Sequence, residues 1–224
     1  MKPMNEAHLA VLRRHMAELI GLQFDLVAEE VGRPAPDARL MAALLQVPRH
    51  RFVPPELAPL AYHDTPLPIG FDKTISQPFI AALMIDLLGP QPHERVLEVG
   101  TGLGYQAALL AALAAQVWSV EVVEEFAAEA RERFQALALK NVEVRVGDGS
   151  RGWAEHAPFD KILVTAAAAR VPRALVDQLR AGGRMVLPVG PEEAQQLTLV
   201  DKAPSGEVGT RAVLPVRFTQ LEVA

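Results

Sequence analysis

From Arg95 onward, short apolar runs alternate with stretches in which apolar residues recur every three or four positions. This predicts strands near 95–99, 117–121, 142–146, 160–166 and 184–189, with helices near 105–115, 123–138 and 170–180. Strands alternating with helices argue for a parallel sheet covered on both faces, an α/β doubly wound fold with right-handed crossovers. Between the third and fourth strands, Ser150 to Phe159 leaves room for one turn. After Gly190 the pattern changes: Gln195–Lys202 and Val213–Val223 read as strands joined by Ala203-Pro204-Ser205-Gly206. Two strands on a short connection pair antiparallel, so the mostly parallel sheet is expected to end in an antiparallel C-terminal edge.

The first 90 residues read differently. Leu9, Leu12, Met16, Leu19 and Ile20 share one side of a helix over roughly 5–20. Asp37 caps a short helix running to about Leu45, and Pro78 starts another through Leu88. The intervening proline-rich stretch, 47–70, reads as ordered loop, because proline fixes φ and removes an amide donor. The chain is therefore expected to be one domain, 1–224, with an N-terminal helical and loop extension over 1–90 and a core over 91–224.

Composition narrows the classes. Half of the residues are hydrophobic, which argues against disorder. A net charge of −5 with 5% aromatics speaks against a nucleic-acid surface. With no cysteine there is no disulfide, thiolate metal site or cysteine nucleophile, which fits a reducing cytoplasm. The six histidines are scattered, so no metal is expected. No apolar run approaches the ~20 residues that span a bilayer. Residues 1–18 lack a secretion-signal core. His50 and His63 read as structural or solvent-facing, Tyr62 and Asp64 as organisers of their loop, and Arg49 and Arg217 as surface-paired.

The chemistry centres on Arg95-Val-Leu-Glu-Val-Gly-Thr-Gly-Leu-Gly-Tyr105. Three glycines in G-x-G-x-G spacing make a strand-to-helix turn that lets backbone approach a ligand, with the helix N-terminus behind it. Tyr105 stands where a dinucleotide fingerprint needs a small residue, and no P-loop spacing occurs. Two further strand ends carry acids. Glu121 suits a ribose diol, because a carboxylate can accept from both hydroxyls, and Asp148, between Gly147 and Gly149, could accept an adenine amine.

The spacing E-x-G-x-G-x-G resembles motif I of S-adenosylmethionine-dependent methyltransferases. Thr74-Ile-Ser-Gln-Pro78, preceded by Tyr62-His-Asp-Thr-Pro-Leu-Pro-Ile-Gly70, resembles the signature of protein-L-isoaspartate O-methyltransferases. The likeness runs from Val47-Pro-Arg-His-Arg-Phe-Val-Pro54 to Pro215-Val-Arg-Phe218. It implies a Rossmann-like methyltransferase sheet. Ser76 matches the active-site serine. Ile75, Glu98, Gly100, Thr101, Gly102, Glu121, Asp148 and Gly149 match cofactor-binding positions. Ile69, Gly70, Phe71 and Thr74 match the segment that closes over cofactor and substrate. Leu103 departs from the small residue common in the family's glycine loop and could reshape the loop's outer face.

The implied activity is methyl transfer from S-adenosyl-L-methionine, leaving S-adenosyl-L-homocysteine, to the free α-carboxylate of L-isoaspartyl residues in proteins and peptides. The ester then cyclises to a succinimide, which begins repair. The expected protein is a cytoplasmic monomer without nucleic-acid or membrane partners. Two alternatives stay open: a methyltransferase of the same fold for another carboxylate, and a cofactor-binding interaction module without catalysis.

Overall fold

The computed structural model describes residues 5–223; residues 1–4 and Ala224, the extreme ends of the expected domain, lie outside them. Helices α1 (Glu6–Leu26), α2 (Ala28–Val31) and α3 (Ala38–Gln46) come first. Asp37 caps α3 by accepting from Arg39 N at 2.7 Å. Short 3₁₀ turns at Arg49–Phe52 and Pro55–Leu60 follow. Strands β1 (Leu67–Gly70) and β2 (Lys73–Ile75) then form a separate antiparallel hairpin. This hairpin departs from the loop expected there. Pro68 is tolerated because it sits exposed in a two-stranded ribbon, where a missing donor costs little. Its turn places Phe71 and Asp72 at φ of 50° and 54°.

Helix α4 (Pro78–Leu88) is buried nearly all round, as its apolar sequence requires, between the sheet and the α1–α3 layer. The remaining elements are β3 (Arg95–Val99), α5 (Tyr105–Ala111), β4 (Gln116–Glu121), α6 (Glu124–Ala136), β5 (Val142–Val146), β6 (Phe159–Val164), α7 (Arg173–Gln178), β7 (Leu179–Val189), β8 (Gln195–Lys202) and β9 (Val208–Val216). Two short 3₁₀ turns fill the gap between β5 and β6. The sheet order is β5-β4-β3-β6-β7-β8-β9, parallel through β7 and antiparallel at β8 and β9. The last strand starts and ends earlier than its apolar pattern suggests. The turn pairs Lys202 with Val208, and the chain leaves the sheet after Val216.

Alternation along the strands divides the core into two layers. Val96, Val117, Leu163 and Val186 face the layer built by α1, α3, α4, α5 and α6. Leu97, Trp118, Ile162 and Met185 face the layer that holds Leu175 of α7. From β3 the chain winds outward through β4 and β5, then returns to β6 on the other side. The strand order therefore reverses between β3 and β6. Such a reversal opens a crevice at the carboxyl ends of the two strands, where open α/β sheets bind ligands.

Candidate active site

The crevice is occupied by the glycine turn. Gly100, Gly102 and Gly104 have φ of 92°, 52° and 98°, a region that disfavours side chains. A Cβ at Gly100 would strike Thr165 Oγ1, and that hydroxyl donates to Gly100 O at 2.7 Å across the β3–β6 junction. Glu121, at the end of β4, accepts Gly102 N at 2.7 Å through Oε2 and Val123 N at 3.0 Å through Oε1.

A cleft lies over this turn. Its walls include Ile69 and Thr74 of the hairpin, Gly100, Gly102, Glu121, Phe126 and Gly149. A smaller adjoining space is lined by Ile75, Ser76, Thr101 and Tyr105. A wide groove on the outside runs past Ser76, Gln77, Arg217 and Phe218. Thr74 and Thr165 border all three spaces. Ser76 borders the groove and the inner space, at the neck between them.

Four of the expected site residues, Gly70, Phe71, Glu98 and Asp148, do not line these spaces. Glu98 is fully buried beneath the turn. It accepts Ser119 Oγ at 2.5 Å, and Ser119 lies 2.5 Å from Thr101 Oγ1. Its other oxygen, Oε1, has no partner, and burial pushes its pKa up to about 8, so Glu98 is neutral at neutral pH. Asp148 turns its carboxylate back to Ser150, accepting from N at 2.9 Å and Oγ at 2.6 Å, and pairs with Arg151. It thereby shapes the turn that presents Gly149. Phe71 is exposed and meets Phe126 edge-on at 5.3 Å, and Gly70 also lies near that ring. Leu103 packs into the core rather than on the outside of its loop.

Three other readings change. Arg49, expected to pair at the surface, is wholly buried. Ser76 makes no capping bond to α4; Asp64 accepts Phe79 N at 2.9 Å and Gln77 Nε2 at 2.7 Å there. The C-terminal segment, which sequence reasoning left out of the site, supplies Thr219, Gln220, Leu221 and Glu222 to the cavity wall. It is held there by Ala167 N on Thr219 O and Leu221 N on Ala167 O, both at 2.8 Å. Thr165 was also missed, although its place just after β6 at the sheet reversal marks it.

The family model described as protein-L-isoaspartate (D-aspartate) O-methyltransferase matches residues 26–223. The chain belongs to that family. A relative from Polaromonas sp., named protein-L-isoaspartate O-methyltransferase 1, is 52% identical over 99% of this chain and 94% of its own. One from Cupriavidus necator with the same name is 50% identical over 95% of this chain and 83% of its own. A solved protein-L-isoaspartate O-methyltransferase superposes with a TM-score of 0.75 at 28% identity, over 89% of this chain and 65% of that longer one. A Plasmodium falciparum structure, described as a putative member of the family in complex with S-adenosyl-L-homocysteine, gives 0.74 at 25% identity over 83% and 91%. The family's fold is the one described above: a mostly parallel seven-stranded sheet with antiparallel C-terminal strands. Among the described residues no helix is long and apolar enough to cross a membrane.

Proposed function

We propose that this chain is an S-adenosyl-L-methionine-dependent methyltransferase that esterifies the free α-carboxylate of L-isoaspartyl residues in proteins and peptides. The observation that carries the reading is the position of Ser76, which borders both the outer groove and the inner space built on the glycine turn.

The residues present fit the cofactor. Each Glu121 oxygen accepts one backbone amide and keeps a lone pair for a ribose hydroxyl. The left-handed backbone at Gly100 and Gly102 lets the turn lie close to a ligand, while Val99, Val120 and Phe126 offer apolar wall. Gly149 adds bare backbone, which Asp148 holds in place. Glu98 acts through Ser119 and Thr101 on the turn.

When bound, the cofactor supplies an electrophilic methyl group carried on a sulfonium. The acceptor carboxylate, with an ordinary pKa near ~3.5, is already ionised at neutral pH, so the chain needs no general base. Its own task is alignment and exclusion of water. Ser76 Oγ donates to the carboxylate at the neck, and Thr74 with Ile75 closes the hairpin side. An O–CH₃ bond forms as the S–CH₃ bond breaks, and no proton moves. Methoxide leaves from the ester where oxide cannot leave from a carboxylate, so the neighbouring amide nitrogen attacks the ester carbonyl, the C–OCH₃ bond breaks, and the amide proton departs with methoxide as methanol to give the succinimide.

We read the whole chain as a single domain acting as a cytoplasmic monomer on isoaspartyl substrates. The hydrophobic layer shared by α1, α3 and the sheet supports one domain, and the absence of cysteine suits a reducing compartment.

The test is methyl transfer to an isoaspartyl peptide and to its aspartyl twin, with wild type and Ser76→Ala. Transfer to the isoaspartyl peptide alone, with kcat reduced about 10²-fold by the substitution and cofactor affinity kept, supports the reading. Transfer to the aspartyl peptide alone, or cofactor binding without transfer, overturns it.

A further inference from the structure

Arg49 is a buried cation without a bonded carboxylate. Its Nε donates to Ala61 O at 2.8 Å and its Nη2 donates to Ser76 O at 2.7 Å. Its Cζ lies 4.8 Å from the centre of the Tyr105 ring. Nη1 and the Tyr105 hydroxyl are both buried with no partner other than each other. Burial lowers the guanidinium pKa to about 10, so it remains charged at neutral pH.

Burying this charge is costly, and the bonds that offset the cost run to two main-chain carbonyls. What it fixes is plain from the partners. Ser76 joins β2 to α4, and its side chain borders the neck described above. Tyr105 opens α5 directly after the glycine turn and lines the same inner space as Ser76. One rigid, planar fork thus spans the serine and the first residue beyond the cofactor turn. On the other side of Ser76, Asp64 holds Gln77 and Phe79. The serine peptide is therefore clamped from both directions, and charge-assisted bonds are the stronger kind.

We infer that Arg49 is a positioning residue for methyl transfer: by gripping the Ser76 carbonyl it sets the aim of the Ser76 hydroxyl relative to the glycine turn and α5. The inference rests on the role of Ser76 given above. Lysine at this position would keep the charge and lose the fork, since an ammonium cannot serve both carbonyls in the same geometry.

The test is a cycle of Arg49→Lys, Ser76→Ala and the double variant, assayed for kcat and KM with an isoaspartyl peptide and for S-adenosyl-L-homocysteine affinity by calorimetry. Arg49→Lys should lower kcat by about 10–50-fold while KM and cofactor affinity stay within about threefold of wild type. The double variant should be no more than about twofold slower than Ser76→Ala alone, because Arg49 acts through the serine. A wild-type kcat in Arg49→Lys, or losses that multiply in the double variant, would overturn the inference while leaving the Ser76 role standing. A wild-type kcat in Ser76→Ala would remove the Ser76 role itself. Should Arg49→Lys not fold, Arg49→Ala is assayed with added methylguanidinium. Recovery of kcat supports the inference; recovery of fold without kcat, or no recovery of either, reduces Arg49 to a stabilising residue and overturns it.

Discussion

Glu121 and Gly102 are bonded across adjacent strand ends, the carboxylate Oε2 accepting the glycine N–H at 2.7 Å. The acid expected to meet the ligand therefore also holds the turn that approaches it. The two features read separately in the sequence are one device.

Glu121→Gln should weaken S-adenosyl-L-homocysteine binding about 10–100-fold, since hydrogen bonds to a charged group carry roughly 1.5–3 kcal/mol. The amide leaves one acceptor oxygen where two are in use, so one backbone N–H faces an NH₂. Saturated kcat should fall much less. Calorimetry with the product cofactor decides the matter, and an unchanged affinity would remove Glu121 from the binding site.

Gly104 opens α5 at φ 98°, and a Cβ there would sit 2.6 Å from the Phe134 ring. Gly104→Ala combines left-handed strain with overpacking and should cost about 2–4 kcal/mol in urea unfolding. Gly206 in the β8–β9 turn has a similar φ of 89° but open space around it. Gly206→Ala should therefore cost only the backbone strain, about 1–2 kcal/mol. Equal losses at the two sites would show that the Phe134 contact yields freely.

Much of this arrangement is legible in the sequence because it depends on local pattern. The apolar run Arg95–Val99, the glycines after it and the acid at Glu121 mark strand ends, and strand ends at a sheet reversal are where the site lies. What the pattern does not carry is long-range closure. Pro68 hid a short hairpin, because its exposed edge position shows only in three dimensions. The Thr219–Glu222 segment reaches the cavity through bonds to Ala167, far from it in sequence. Arg49 looked like one more basic residue among Arg49-His50-Arg51, and only the packing of Tyr105 against it shows that it is buried. Glu98 reads as a cofactor position through its match to motif I, and Asp148 as an acceptor for an adenine amine between two glycines. In the structure their carboxylates bond to Ser119 and Ser150, which links each to the backbone or hydroxyls of its own turn.

Lys73 in the hairpin pairs with Glu222 in the C-terminal segment, and both residues line the cavity. Both side chains reach solvent, so the pair should add at most about 1 kcal/mol and weaken with salt. Lys73→Met should leave the melting temperature nearly unchanged yet speed release of S-adenosyl-L-homocysteine by about two- to fivefold at low salt. Stopped-flow release measured at low and high ionic strength checks this. A release rate that is the same in both proteins at low salt would mean that the pair does not hold the walls together.

Glu98 gives the enzyme a pH-dependent stability of defined sign. Its folded pKa of about 8 lies above the ordinary value of 4.5, chiefly because burial penalises the charged form, with Glu121 adding repulsion. Between those values the folded state binds the proton and the unfolded state does not, so stability falls as pH rises through that window. Below about 4.5 both states are protonated and this loss is absent; above about 8 both are ionised and it is complete. Glu98→Gln keeps an acceptor for Ser119 Oγ and cannot ionise. Relative to wild type it should gain stability progressively from pH 5 to pH 8, by a few kcal/mol at most. Urea unfolding of both proteins at four pH values in that range tests the sign directly. Parallel curves would mean that Glu98 titrates alike in both states, which would require its buried Oε1 to find a partner that the fold does not provide.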